Sequence, residues 1–165
     1  MERELKHLET QERKLIEKKN NKLLNNFSKF LLNIILFFYK LNLQNMAILV
    51  TGAAGFIGSN FVLDWFSQSN EDIVSLDLLT YAGVLKNLSP LENNSRHHFI
   101  RGNIADKVLV SKLLKKYHIR AVIHFAAESH VDRSIHRPSA FIETNIVGTF
   151  HLLECIRVYW NLLNQ

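Results

Sequence analysis

Three glycines, Gly52, Gly55 and Gly58, stand between a short apolar run, Met46-Ala-Ile-Leu-Val-Thr51, and a stretch of helical spacing, Ser59-Asn-Phe-Val-Leu-Asp-Trp-Phe66. The run reads as a strand covered on both faces, as strands of a parallel sheet are. No other feature constrains the fold as tightly. Gly52 permits a tight exit from the strand. Gly55 lets the backbone approach a pyrophosphate with no Cβ in the way, and Gly58 lets the helix pack closely on the strand. The helix N-terminus then offers free N–H groups and the positive end of its dipole to an anion. A glycine triplet alone is weak; the flanking strand and helix are the context that gives it meaning.

A second strand, Asp72-Ile-Val-Ser-Leu-Asp77, ends in an acid 19 residues after Gly58. A dinucleotide fold places there the carboxylate that accepts from the adenosine ribose hydroxyls. Leu78-Leu79-Thr80-Tyr81 follow without an arginine to receive a 2′-phosphate, so the residues favour NAD over NADP. His98-Phe-Ile-Arg101 is a third strand, and Asp106 is placed to cap a helix over 107–117. Arg120-Ala-Val-Ile-His-Phe-Ala-Ala127 is the fourth strand. After a polar stretch, Pro138 opens a long helix that runs past Tyr159. The succession predicts an α/β fold, a Rossmann-like doubly wound parallel sheet of about four strands.

Charge separates the chain into two regions. Residues 1–45 carry nine Lys/Arg against five Asp/Glu, whereas residues 46–165 carry eleven against ten. The basic surplus therefore lies in the first quarter, and the nearly neutral remainder gives no ground for a nucleic-acid partner. Residues 1–26 are rich in Glu, Lys, Leu and Asn and read as a solvated helix. Residues 27–43 are the most apolar stretch, but the run from Phe30 to Tyr39 is ten residues and includes Asn33. A bilayer span needs about 20 apolar residues, so no membrane segment is expected. The expectation is a helical extension over 1–45 and a partial nucleotide-binding domain over 46–165.

The single cysteine, Cys155, lies among Leu152, Leu153, Ile156 and Val158 and reads as a core filler. It excludes an internal disulfide and Cys-based zinc sites, and a cytoplasmic, reducing setting follows. His97 and His98 are adjacent and face opposite ways on a strand, and His124, His130 and His136 share no helix face. No metal site is expected. Glu128, His130 and Asp132 read as structural members of the loop after the fourth strand rather than as an acid/base cluster.

The glycine spacing resembles the extended short-chain dehydrogenase/reductase family. Ser75-Leu-Asp-Leu-Leu-Thr-Tyr-Ala-Gly83, His124-Phe-Ala-Ala-Glu-Ser-His-Val-Asp-Arg-Ser134 and Phe141-Ile-Glu-Thr-Asn-Ile-Val-Gly-Thr149 narrow the resemblance to the dTDP-glucose 4,6-dehydratases of dTDP-rhamnose synthesis. It covers 46–160, roughly the first third of a family member. By that resemblance Gly52, Gly55, Phe56, Ile57 and Gly58 form the cofactor turn, with Ile57 and Gly58 meeting the pyrophosphate. Asp77, Leu78, Leu79 and Thr80 would meet the adenosine ribose, and Asn103 and Ile104 would flank the adenine. Phe125, Ala126, Ala127, Glu128 and Ser129 would line the nicotinamide ribose side, and Thr144 would reach the cofactor from the long helix. Ser129 would also touch the sugar-nucleotide substrate, dTDP-glucose in the intact family. Two positions depart from the pattern: Asn103 stands where Asp is usual, and Val84 where Asn is usual.

The same resemblance implies NAD-dependent oxidation at sugar C4, loss of water across C5 and C6, and return of the hydride to C6. The family does this with a Tyr-x-x-x-Lys pair and a Thr-Asp-Glu triplet. In this chain the residues four beyond the tyrosines are Leu43, Leu85, Ala121 and Leu163, and Thr-Asp-Glu does not occur. No catalytic residue is therefore assigned. The expectation is the NAD-binding portion of such an enzyme, a fragment inactive alone, from a family that forms homo-oligomers. The alternatives are a dinucleotide-binding interaction module and a fragment of a related nucleotide-sugar epimerase.

Overall fold

The computed structural model describes residues 28–34 and 46–163. The chain divides into two units, Met1–Gln44 and Asn45–Gln165, each described by itself. In the first unit residues 28–34 are helical, with Phe30, Leu31 and Leu32 exposed. The helix expected over 1–26 and most of the apolar stretch 27–43 lie outside the described residues.

The second unit carries four parallel strands, β1 (Ala47–Thr51), β2 (Asp72–Asp77), β3 (His97–Arg101) and β4 (Ile119–His124), in the order β3-β2-β1-β4. Helix α1 (Phe56–Gln68) follows β1, a 3₁₀ helix (Leu85–Leu91) lies between β2 and β3, and α2 (Lys107–Lys116) joins β3 to β4. Helix α3 (Val131–His136) precedes α4, which begins at Pro138–Phe141, widens to a π-helix over Ile142–Gly148 and continues as Thr149–Leu163. The expected Rossmann-like α/β fold is the observed one.

Alternation along the strands divides the core into two layers. Ala47 and Leu49 of β1 with Val74 and Leu76 of β2 face Val110, Leu113 and Leu114 of α2 and Leu152, Ile156 and Tyr159 of α4. Ile48, Val50 and Ile73 face the other way, onto Val62 of α1 and Leu88 and Leu91 of the 3₁₀ helix. Every residue of β1 is buried, which is why its sequence is apolar without alternation. Cys155 is buried in the first layer, as its neighbours in sequence predicted.

Asp106 caps α2, its side chain accepting the Leu109 N–H at 3.0 Å. His97 turns to the α1 side and meets the Ser75 hydroxyl at 2.9 Å, while His98 turns to the α2 side and packs on the Tyr117 ring. Two expectations need correction. β4 ends at His124 instead of continuing to Ala127: the Phe125 N–H still bonds the Thr51 carbonyl at 2.9 Å as a last rung, but β1 ends there and turns away at Gly52, which leaves the following residues no strand to pair with. The polar stretch before Pro138 contains helix α3, with Asp132 in its first turn.

Candidate functional site

A cleft opens at the carboxyl ends of the strands, where a doubly wound sheet places its ligands beside the switch in strand order. Main-chain bonds hold the strand exits together. The Gly52 N–H donates to the Leu76 carbonyl at 2.9 Å, and the Gly102 N–H to the Asp77 carbonyl at 2.9 Å.

The glycine turn is required by close approach. Gly52 has φ +67°, and a Cβ there would stand 2.5 Å from the Ala126 nitrogen, so β1 and the segment after β4 touch only because it has no side chain. A Cβ on Gly58 would strike the Gly52 carbonyl and lie 2.9 Å from Ala53 Cα. The first helical bond of α1 runs from the Ser59 N–H to the Gly55 carbonyl at 2.9 Å. The N–H groups of Phe56, Ile57 and Gly58 therefore have no carbonyl of α1 to meet. No acidic side chain occupies that first turn, and Gly55 brings no capping side chain.

Asp77 is the buried carboxylate of the cleft, 8% exposed. Its Oδ2 accepts the Ala54 N–H at 2.9 Å and its Oδ1 accepts the Leu79 N–H at 2.7 Å. Each oxygen keeps a second lone pair for a ligand hydroxyl. The Ala54 carbonyl in turn accepts from the Val84 N–H at 3.0 Å and from Asn87 Nδ2 at 3.1 Å. The loop after β2 is thus tied to the glycine turn through main chain at Val84, a bond indifferent to the side chain there.

The far wall is held from α4. Asn145 Oδ1 accepts the Glu128 N–H at 2.8 Å, and its Nδ2 donates to the Glu128 carbonyl at 2.8 Å. Asn145 lies in the π-helical stretch beside Thr144, which lines the cleft. A π-turn within a helix recurs at functional sites because it re-aims neighbouring side chains. His124, at the end of β4, has Nδ1 2.6 Å from the Thr51 hydroxyl and Nε2 3.0 Å from the Thr149 hydroxyl. Burial pushes its pKa below the ordinary histidine value, so a neutral ring bridges β1 to α4.

Of the candidate residues, Gly52, Gly55, Asp77, Leu78, Thr80, Asn103, Ile104, Phe125, Ala126, Ala127, Glu128 and Thr144 line this cleft. Phe56 and Ile57 project from α1 with exposures of 82% and 65%, so only their main chain is placed for a ligand at the helix end. Gly58 is buried beneath the turn, Leu79 packs toward the α1 side of the core, and Ser129 is exposed just beyond Glu128. Asn103 turns its Oδ1 to the Ala105 N–H at 2.9 Å, leaving that oxygen one free lone pair. Leu76, Ala82, Gly83 and Gly102 also line the cleft and were not anticipated. Gly102 carried a legible signal, a glycine directly after a strand's carboxyl end.

The model for a family described as GDP-mannose 4,6 dehydratase matches residues 49–164. A dTDP-glucose 4,6-dehydratase of Xanthomonas campestris is 56% identical over 115 residues, which are 70% of this chain and 32% of that protein. The enzyme of the same name from Salmonella typhimurium is 48% identical over 73% of this chain and 33% of its own length. The chain thus spans about a third of the length of the curated relatives it matches. Among solved structures, the Streptomyces venezuelae dTDP-glucose 4,6-dehydratase with NAD bound is 46% identical, with a TM-score of 0.63 over 67% of this chain and 35% of that one. A UDP-glucose 4-epimerase from Thermotoga maritima, 32% identical, gives a TM-score of 0.61 over 69% of this chain and 35% of that one. Glycine turn, strand order and these matches agree: the chain belongs to the GDP-mannose 4,6 dehydratase family.

Proposed function

We propose that residues 46–165 are the NAD-binding portion of a dTDP-glucose 4,6-dehydratase, and that residues 1–45 are a separate extension. The observation that carries the cofactor reading is the Asp77 carboxylate, fixed by two main-chain N–H groups and lining the cleft with a lone pair free on each oxygen. It fits the two ribose hydroxyls of NAD and repels a 2′-phosphate. The free N–H groups of the α1 first turn fit the pyrophosphate. Asn103 and Ile104 would hold the adenine, and Phe125 to Ser129 with Thr144 the nicotinamide half. NAD when bound supplies a hydride acceptor; the residues of this chain orient it and exclude water from it.

In the whole enzyme the substrate would be dTDP-glucose, on the dTDP-rhamnose route, in a cytoplasmic homo-oligomer without nucleic-acid or membrane partners. Among the described residues no helix is long and apolar enough to cross a membrane. The 165 residues contain neither Tyr-x-x-x-Lys nor Thr-Asp-Glu, so this chain by itself binds cofactor without turnover. The relatives' shared name favours a dehydratase over the epimerase reading. Calorimetry of the full chain with NAD and with NADP tests the reading, and NAD binds the more tightly. Equal affinity for the two, or 4-keto-6-deoxy sugar formed from dTDP-glucose by rigorously purified chain, overturns it.

A further inference from the structure

We infer that Arg133 is a positioning residue that straps the two walls of the cleft together through Tyr81, and that dinucleotide release requires this contact to open. The inference rests on the cofactor reading above. Tyr81 lies between Thr80 and Ala82, both of which line the cleft on the β2 side. Arg133 belongs to α3, five residues beyond Glu128, which lines it on the β4 side. The guanidinium carbon stands 3.5 Å from the centroid of the Tyr81 ring. The His130 ring meets the same tyrosine edge-on, with centroids 6.2 Å apart.

Among the described residues the guanidinium's partner is the Tyr81 ring. Among the described residues its guanidinium makes no ion pair; the carboxylates that are paired, Asp72, Glu71 and Glu154, are paired elsewhere. The main chain on each side is already fixed. The Gly83 N–H closes on the Thr80 carbonyl at 3.1 Å around Tyr81, and the Arg133 N–H donates to the His130 carbonyl at 3.1 Å. Ring and guanidinium are therefore the adjustable parts of a bridge that, together with the His130 ring on Tyr81, joins the two segments. Tyr81 is 43% exposed and Arg133 is exposed, which keeps the contact weak enough to open. A ligand held from Asp77 to Glu128 would touch Thr80 and Ala82 on one segment and Glu128 on the other, the two that this bridge joins.

The test uses the full chain and NADH, whose fluorescence reports release in stopped flow. Arg133→Met and Tyr81→Ala each raise the release rate roughly two- to fivefold, the range of a partly exposed cation–π contact. Combining them adds little to either alone. Arg133→Lys, which keeps the cation, restores part of the effect, and Tyr81→Phe, which keeps the ring, stays at the parent rate. Hydrogen exchange on the unliganded chain gives a second readout: the amides of 81–83 exchange faster in Arg133→Met. Unchanged exchange overturns the strap whether or not NADH binds. Faster exchange with unchanged release overturns its role in release. A parent chain that binds no NADH overturns the cofactor reading and the release step with it, while the exchange comparison still separates that failure from absence of the bridge.

Discussion

Asp77 and Ala54 are 23 residues apart in sequence, yet a 2.9 Å bond from the Ala54 N–H to Asp77 Oδ2 locks the glycine turn to the end of β2. The other carboxylate oxygen holds the N–H of Leu79, a non-glycine residue at φ +57°. Left-handed backbone costs a leucine roughly 1–2 kcal/mol, and the Asp77 bond offsets part of that. One side chain thus builds the cleft and is left with the lone pairs proposed to meet the ribose.

Asp77→Asn separates those two roles. The amide keeps one carbonyl oxygen but turns an N–H₂ group toward one of the two N–H donors, so one bond is lost. A stability loss of about 1–3 kcal/mol is expected, the cost of unpairing a buried polar group. Discrimination against NADP shrinks because the charge is gone. Urea unfolding and paired NAD and NADP titrations measure the two effects independently.

The glycines of the turn differ in what they tolerate. Gly58→Ala drives a Cβ into the Gly52 carbonyl and Ala53 Cα, both main chain and unable to yield. Gly55→Ala meets the Gly52 carbonyl at 3.3 Å and the Ala82 carbonyl at 4.0 Å, the second an ordinary contact. Gly58→Ala is expected to cost at least about 1–3 kcal/mol, as overpacking does, and Gly55→Ala less than half of that. Gly55→Ala weakens NAD binding out of proportion to its stability loss. Denaturant midpoints beside binding isotherms decide it, and equal midpoints for the two variants contradict the close packing at Gly58.

Much of this was legible because it is local. The strand, glycine turn and helix are contiguous, the acid closes β2, and Asp106 is a capping residue just before an apolar-periodic segment. The observed order β3-β2-β1-β4 is the one a doubly wound sheet takes around a first strand that ends in a glycine turn. What was not legible depends on partners distant in sequence. Nothing in Ile142–Gly148 distinguishes a π-helix from an α-helix; the widening coincides with Asn145 reaching the Glu128 main chain, 17 residues upstream. Nor does Phe125-Ala-Ala127 announce where β4 stops, because apolar residues suit a buried strand and a cleft wall equally well.

Asn145 offers one acceptor and one donor to the two sides of Glu128's main chain. Asn145→Ala loses both bonds, about 1–3 kcal/mol in all. Asn145→Asp is expected to be no better, since its second oxygen faces the Glu128 carbonyl that formerly received an N–H. Exchange at the Glu128 amide accelerates in both variants. An Asn145→Asp chain as stable as the parent would argue against the geometry of the clamp.

His124 and His97 give the fold an acid sensitivity. Burial lowers the folded-state pKa of each below 6.5, and for His97 the neighbouring His98 lowers it further while the Leu91 main chain opposes this. A histidine whose pKa is depressed in the folded state binds its proton more readily when unfolded. Stability is therefore complete above about pH 6.5 and falls as pH drops from there through the depressed values. His124→Gln is expected to lose roughly 1–3 kcal/mol at neutral pH, from the broken bridge to Thr51 and Thr149, and to flatten the acid slope. Thermal unfolding across pH 5 to 8, parent against variant, measures both.

The last expectation concerns the outer edge of the sheet. β4 pairs with β1 on one side, and no described strand pairs with its other side. Helix α4, joined to the end of β4 through His124 and Thr149, exposes Ile142, Ile146, Phe150 and Leu153 at 51%, 59%, 57% and 58%. Free main-chain groups next to uncovered apolar surface promote association. The chain is expected to self-associate as concentration rises. Ile146→Lys with Phe150→Lys, both at exposed positions, should raise solubility while changing the unfolding midpoint little. Light scattering over a concentration series and hydrogen exchange over 119–124 are the measurements. A monodisperse monomer at high concentration with 119–124 well protected would mean that the edge of β4 is covered, and the expectation would be wrong.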